Sequence, residues 1–232
     1  MTFLERSALC LSTSDGCDKI LRLASYGLLA SSGRPGLNPE RQMAIIKAAR
    51  DISTGRMILR RLGDIPMWLV LRHHFRQKPP QDKLDYICHQ LRGVSLLSFA
   101  LFYPAEHLAW LCGTGLLPVK GTRFETGAVL CWMVALAAAI ARSSCKLVSI
   151  KRRGKKEKGE DEIDSSSAPA DQGEVVDECW TLLSSVCDMA NAVNFLPPGT
   201  FLWSGSFPAW KTGAFGTISS LVLLRNMLRK YC

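Results

Sequence analysis

From Thr126 to Ala141 the chain runs for 16 residues without a charge, mostly Ala, Leu, Val, Ile and Met, between Glu125 and Arg142. A helix that crosses the hydrocarbon core of a bilayer needs ~20 apolar residues, with ~17 as the lower end. If Arg142 snorkels its guanidinium to the headgroups, Ser143, Ser144 and Cys145 extend the run to that length. The segment 124–145 is therefore expected to span a membrane; the alternative is a core helix of a bundle. Composition leans the same way. Apolar residues make up 47% of the 232, and mean hydropathy is +0.08 despite 29 Lys and Arg. That hydrophobicity excludes wholesale disorder.

A second uncharged run, Thr212 to Leu224, has 13 residues. It reaches spanning length only if Gly205 to Trp210 join it and Lys211 is tolerated, which sets a second expected span at 205–224. Within it Gly213 and Thr217, and likewise Gly216 and Ser220, stand four apart. Small residues at that spacing let helices approach closely in lipid, so these four are expected to serve helix packing or oligomerisation. Trp110, Trp203 and Trp210 flank the apolar segments. They are expected to anchor at the membrane–water boundary, because indole is apolar with one N–H that wants a polar partner. Between the runs a basic cluster, Lys146 to Lys158, gives way to Glu160, Asp161, Glu162 and Asp164. Residues 146–204 thus read as a charged linker and a helix near 174–195, and 225–232 as a short tail.

Residues 1–123 read as helical. A short helix is expected over Asp18 to Leu29, before a Gly- and Pro-rich loop. Over 40–62, Ala44, Ile45, Ala48, Ile52, Leu59 and Leu62 share one helical face. Lys47, Arg50 and Arg61 lie opposite, while Arg56 and Arg60 flank the apolar side. Such a basic amphipathic helix can lie in a membrane interface; the same pattern also suits a surface helix of a bundle. Leu84 to Phe102 reads as a further helix. Pro104 reads as the start of the next, with Glu106 favouring its N-terminal dipole.

Net charge is +9, of which residues 1–125 carry +7. An excess of this kind favours an anionic surface. The basic residues are not interleaved with stacking aromatics, so lipid headgroups are expected rather than nucleic acid. No phosphate-binding loop, dinucleotide fingerprint or nucleophile elbow is present, and adjacent His73 and His74 point to different helix faces. Neither enzymatic activity nor a metal or cofactor is expected. Nine Cys with no C-x-x-C spacing suit a reducing compartment or a membrane. Met1 to Leu11 carry Glu5 and Arg6 without a long apolar core, so no secretory signal is expected.

Several motifs then join. Asp18-Lys19-Ile20-Leu21-Arg22, with Tyr26 after it, resembles the opening of the peroxisomal membrane protein 11 family of peroxins. Gly55-Arg56-Met57-Ile58-Leu59-Arg60 is similar to that family's basic amphipathic region. Tyr103 to Trp110 resembles the gamma type, as does Asp188-Met189-Ala190-Asn191-Ala192-Val193 running into Leu196-Pro197-Pro198-Gly199 and Trp203. Gly213-Ala214-Phe215-Gly216-Thr217-Ile218-Ser219-Ser220 is close to the family's C-terminal signature.

The resemblance implies an all-α, membrane-associated helical bundle with amphipathic helices and two short hydrophobic spans. It implies a peroxisomal membrane protein with both termini in the cytosol and the 146–178 loop in the lumen. The positive-inside rule would instead place Arg142 to Lys158 in the cytosol. It implies elongation, proliferation and fission of peroxisomes, with the 40–62 helix inserting into one leaflet. The partners it implies are anionic lipid, further copies of this chain and of its relatives, fission adaptors and a dynamin-related GTPase. Two readings from other classes stay open on the residues alone: an oligomeric pore for small metabolites, and a soluble helical adaptor whose apolar runs form one core.

Overall fold

The computed structural model describes residues 5, 8, 11–60, 64–157 and 169–229. They form seven principal helices joined by turns, with no strand among the described residues: α1 (Ser14–Ser31), α2 (Pro39–Arg60), α3 (Asp64–Arg76), α4 (Lys83–Gly113), α5 (Thr122–Glu157), α6 (Pro169–Asn194) and α7 (Ala209–Arg229). The all-α, membrane-associated class expected from sequence is the class observed.

Local chemistry sets the helix starts. The Thr13 hydroxyl accepts from the Gly16 N–H at 3.1 Å, and Asp15 lies in the first turn, so α1 begins with a cap and a favourable charge. Gly36 turns the chain at φ 76°, Asn38 caps α2 through the Glu40 N–H, and Pro39 occupies the first helical position, where its missing N–H costs nothing. Asp82 caps α4 by accepting from the N–H groups of Leu84 and Asp85.

Two boundaries differ from expectation. Pro104 does not start a helix; it lies inside α4, which runs unbroken from Lys83 to Gly113. The missing proline N–H removes one rung, a loss that the extensive packing of α4 against α5 offsets. In α5 the expected span 124–145 is helical throughout, and the helix continues past Lys146, Lys151 and Arg152 to Glu157. Lys and Arg are good helix formers, so the backbone has no reason to stop where the charges begin. The charged linker is correspondingly shorter, and residues 158–168 lie outside the described residues.

The helices pack in the succession α3, α4, α5, α6, α7, α1, α2, each against the next. The largest contact joins α4 to α5, which return on each other across residues 114–121. Gly121 permits that return: a Cβ there would sit 3.1 Å from Cys112 Cβ and 3.2 Å from the Ala109 carbonyl oxygen. The α1–α7 contact is next in extent and equally tight. A Cβ on Gly213 would run into the α1 backbone at Leu29 and Ala30, and one on Gly216 into the Tyr26 ring.

The helices long and apolar enough to cross a membrane, among the described residues, are two: α4 and, over Thr122–Arg152, α5. The segment 205–224, expected as a second span, comprises the short loop before Ala209 and most of α7; α7 is not one of those two helices. Its small polar residues face inward, with Thr212, Ser219 and Ser220 all buried against neighbouring helices. The α1 and α6 helices that would have to accompany it carry Arg22 and Asp188. A bilayer centre tolerates such groups poorly, which argues for a helix packed in a polar bundle.

Candidate membrane interface

The bundle is divided between an inner polar spine and an outer apolar surface. The spine starts on α1. Asp18 is 5% exposed and meets Arg56 of α2, 6% exposed, at 3.1 Å; Lys19 lies 3.5 Å and Arg60 4.0 Å from the same carboxylate. Burial alone would raise the pKa of Asp18, but Arg56, Lys19 and Arg60 together outweigh it and hold the carboxyl below its usual range. Arg60 also donates to Glu106 of α4 at 2.8 Å. One turn along α1, Arg22 donates to Asp188 of α6 at 2.5 Å and to the Ser219 hydroxyl of α7 at 2.8 Å. Asn191 of α6 donates to the Thr212 carbonyl, and Ser25 to the Ala49 carbonyl. The charges that tie α1 to α2, α6 and α7 are therefore matched and shielded, and removing one partner would strand the other.

This spine redistributes the residues expected to bind membrane. Arg56 and Arg60 do not flank an exposed face; their guanidiniums turn inward to Asp18 and Glu106. The helix rotates to present Ala49 and Arg56 to its neighbours, so Ile45 and Ile52 are half-buried, while Ala44, Ala48 and Leu59 stay exposed. Lys47 and Arg50 are exposed on the outside, as expected. Arg61 and Leu62 lie outside the described residues. The physical reason is competition: a buried carboxylate on α1 recruits the nearest cations more strongly than water does.

Gly213, Gly216 and Ser220 are buried and Thr217 is half-buried, so they do pack helices, but the partner is α1 of the same chain. The Thr217 and Ser220 hydroxyls donate to the carbonyls of Gly213 and Gly216, which satisfies them within α7. Among the tryptophans, Trp110 is half-buried on α4. Trp203 and Trp210 are exposed; Trp203 donates its indole N–H to the Ala190 carbonyl at 2.9 Å and stacks on Phe207, and Trp210 covers Gly33.

The outer surface carries large apolar side chains in continuous stripes. On α4 these include Val94, Leu97 and Leu101, and on α5 Leu130 and Val134. The short α3 adds Ile65, Trp68, Leu69 and Phe75. The helix α3 does not figure among those expected from sequence. The signal available was the recurrence of apolar or basic residues at 65, 68, 69, 72, 75 and 76, the spacing of one helical face. The polar spine was not legible, because nothing local links Asp18 to Arg56 or Arg22 to Asp188.

The profile of the family described as Peroxisomal biogenesis factor 11 (PEX11) matches residues 4–228. The chain belongs to the PEX11 family. Two relatives bear the name peroxisomal membrane protein 11C. The human protein is 28% identical, with 99% of this chain and 96% of the relative covered. The mouse protein is 27% identical, with 96% and 93% covered. No solved structure matches. Members of PEX11 are peroxisomal membrane proteins of peroxisome biogenesis, and the two apolar helices α4 and α5 accord with a place in that membrane. The similarity covers the whole architecture, so the spine of α1, α2, α4, α6 and α7 lies inside the family match.

Proposed function

We propose that this PEX11 protein remodels the peroxisomal membrane, elongating it during proliferation and fission. The observation that carries the reading is the unpartnered apolar surface along α4 and α5, set beside a bundle whose outward charges are mainly basic. Side chains such as Leu101 and Leu130, about half exposed, would each forgo roughly 1 kcal/mol if left in water, so the hairpin suits lipid. In this reading α4 and α5 enter the membrane as a hairpin. Its open end carries Lys83 on one arm and Lys146, Lys151 and Arg152 on the other. The positive-inside rule then places that end, and both chain termini with it, in the cytosol. The helices α1, α2, α6 and α7 pack alongside the hairpin, as the Arg60–Glu106 and Lys146–Glu178 pairs require, and the exposed Lys47 and Arg50 of α2 are attracted to anionic headgroups.

A bundle that takes up more room in one leaflet than in the other expands that leaflet and bends the membrane. Self-association would concentrate many such bundles; with the α7 glycines occupied by α1, it would use outer faces instead. Fission adaptors and a dynamin-related GTPase would act on the narrowed tube. The test is reconstitution of the full chain into phosphatidylcholine vesicles with and without phosphatidylserine, viewed by electron microscopy. Tubules that depend on the anionic lipid are expected. Vesicles that stay round while the protein resists alkaline extraction would refute remodelling.

A further inference from the structure

We infer that the loop 195–208 between α6 and α7 is a separate lipid contact: an uncharged anchor whose tip, Phe201 and Leu202, enters the headgroup–acyl boundary at the closed end of the α4–α5 hairpin. The inference rests on the reading of α4 and α5 as a membrane hairpin. Four observations converge on it.

The first is depth. Lys146 of α5 donates to Glu178 of α6 at 2.7 Å, and Trp132 of α5 stacks on Phe195 with ring centroids 6.2 Å apart. These two contacts set α6 antiparallel to α5, with the end of α6 beside the uncharged run 126–141. Trp132 stands six residues past Thr126, about 9 Å along the helix. The α6 helix thus runs toward the border that Arg123 and Glu125 mark, and the loop follows from its end. Asp188, the acid of α6 nearest the loop, is paired with Arg22 inside the bundle. The second is composition. From Met189 to Trp210 no residue is charged. The tip presents Phe201 at 51% and Leu202 at 69% exposure, an apolar pair without an ion beside it in the loop.

The third is the backbone. Irregular backbone is tolerated near hydrocarbon where its polar groups are bonded within the protein. The hydroxyl of buried Ser204 accepts from the Thr200 and Phe201 N–H groups at 3.0 and 3.1 Å. Asn194 accepts from the Gly205 and Phe207 N–H groups and closes the loop at its base. Pro197, Pro198 and Pro208 bring no N–H. The fourth is how the tip is held. Leu202 stands at φ 44°, a left-handed conformation that favours glycine, so the fold imposes its orientation. Trp203 bonds the Ala190 carbonyl and stacks on Phe207, which makes it a support of the loop rather than its anchor. The occupant is bilayer lipid rather than a second copy, because the register with α5 brings the loop to a bilayer border.

The experiment uses the full chain in phosphatidylcholine vesicles free of acidic lipid. A membrane-impermeant maleimide is admitted to both sides by freeze–thaw, and labelling is read by peptide-resolved mass spectrometry. Phe201→Cys and Leu202→Cys, with helicity retained, are each expected to label about tenfold more slowly than Gly173→Cys, the partition that burying part of one such side chain supports. Position 173 lies at the far end of α6, where a Cβ meets nothing within 4 Å. Phosphatidylserine or added salt should change neither tip rate, since no charge holds the loop. Labelling at 201 and 202 as fast as at 173 would overturn the inference. So would shielding that requires acidic lipid, or shielding that disappears when the protein is diluted in lipid, the mark of a second copy. Release of the parent protein by alkaline carbonate would sink the hairpin reading and this inference with it; retention with free labelling at the tip would sink the loop assignment alone.

Discussion

Replacing Arg56 separates two roles that this side chain could have. As a headgroup ligand it would contribute about 1 kcal/mol to vesicle binding and nothing to folding. As the partner of Asp18 it holds α1 to α2. The pair is 3.1 Å apart with both side chains under 10% exposed, and breaking a buried pair by removing one member costs about 3–5 kcal/mol. That is a large share of the ~5–15 kcal/mol that holds a domain together.

The structure also orders the two possible deletions. Without Arg56, the Asp18 carboxylate keeps Lys19 at 3.5 Å and Arg60 at 4.0 Å. Without Asp18, the buried Arg56 guanidinium has lost the carboxylate it was paired with. Asp18→Asn should therefore destabilise more than Arg56→Met, and Asp18→Leu combined with Arg56→Met should recover much of the loss, since two apolar groups strand no charge. Urea unfolding in mild detergent, followed by circular dichroism, reads all three.

The pH dependence has a definite sign. The folded pKa of Asp18 lies below its unfolded value, so its stabilisation is complete above about pH 3.9 and is lost as pH falls through the folded value. The gap between the parent protein and Asp18→Asn should hold constant near neutrality and close only below about pH 4. An Arg56→Met protein with an unchanged urea midpoint but weakened, salt-sensitive vesicle binding would refute the inward placement of Arg56.

Other expectations follow from the same contacts. Gly213→Val should cost more than Gly216→Val in thermal stability, because the first meets the α1 backbone and the second a tyrosine ring that can shift; overpacking costs about 1–3 kcal/mol in the milder case. Asp177→Ala, which removes the ion pairs to Arg225 and Arg229, should lower stability by under ~1 kcal/mol, since those groups are a third to a half exposed and water screens them. For His74, burial, then His89 and Arg92, depress the pKa. The unfolded chain therefore binds the proton more readily, and stability should decline as pH falls below about 6.5. A melting temperature flat from about pH 7.5 to 5.5 would contradict that placement, and His74→Gln should reduce the slope.

Much of the helical layout was legible because helices are local. The helix over Asp18 to Leu29, the Gly- and Pro-rich loop after it and the helix over Leu84 to Phe102 all rest on patterns that act within a few residues of themselves. The run at 126–141 marks α5 for the same reason: length and apolarity are properties of one segment. Periodicity misled where two faces competed. In α2 the apolar stripe lies beside the stripe that packs, and the helix turned toward Arg56 because a carboxylate on another helix was waiting for it. In α4 the proline suggested a boundary that packing against α5 overrode. In α7 the glycines stand against α1 of the same chain, and spacing carries no information about whose helix comes close.

The sequence by itself determined an all-α chain, a strongly apolar helix at α5, a basic N-terminal half and membership of a peroxisomal family, because each depends on composition, local pattern or motif order. Only the tertiary structure decided which cations are spent inside and which remain for lipid, which apolar faces are covered, and that α4 rather than α7 stands beside α5. Those outcomes depend on pairs such as Asp18 with Arg56 and Arg22 with Asp188, 38 and 166 residues apart in the chain. Burial energies there are set by what surrounds both partners at once, and no single segment of the chain encodes that environment.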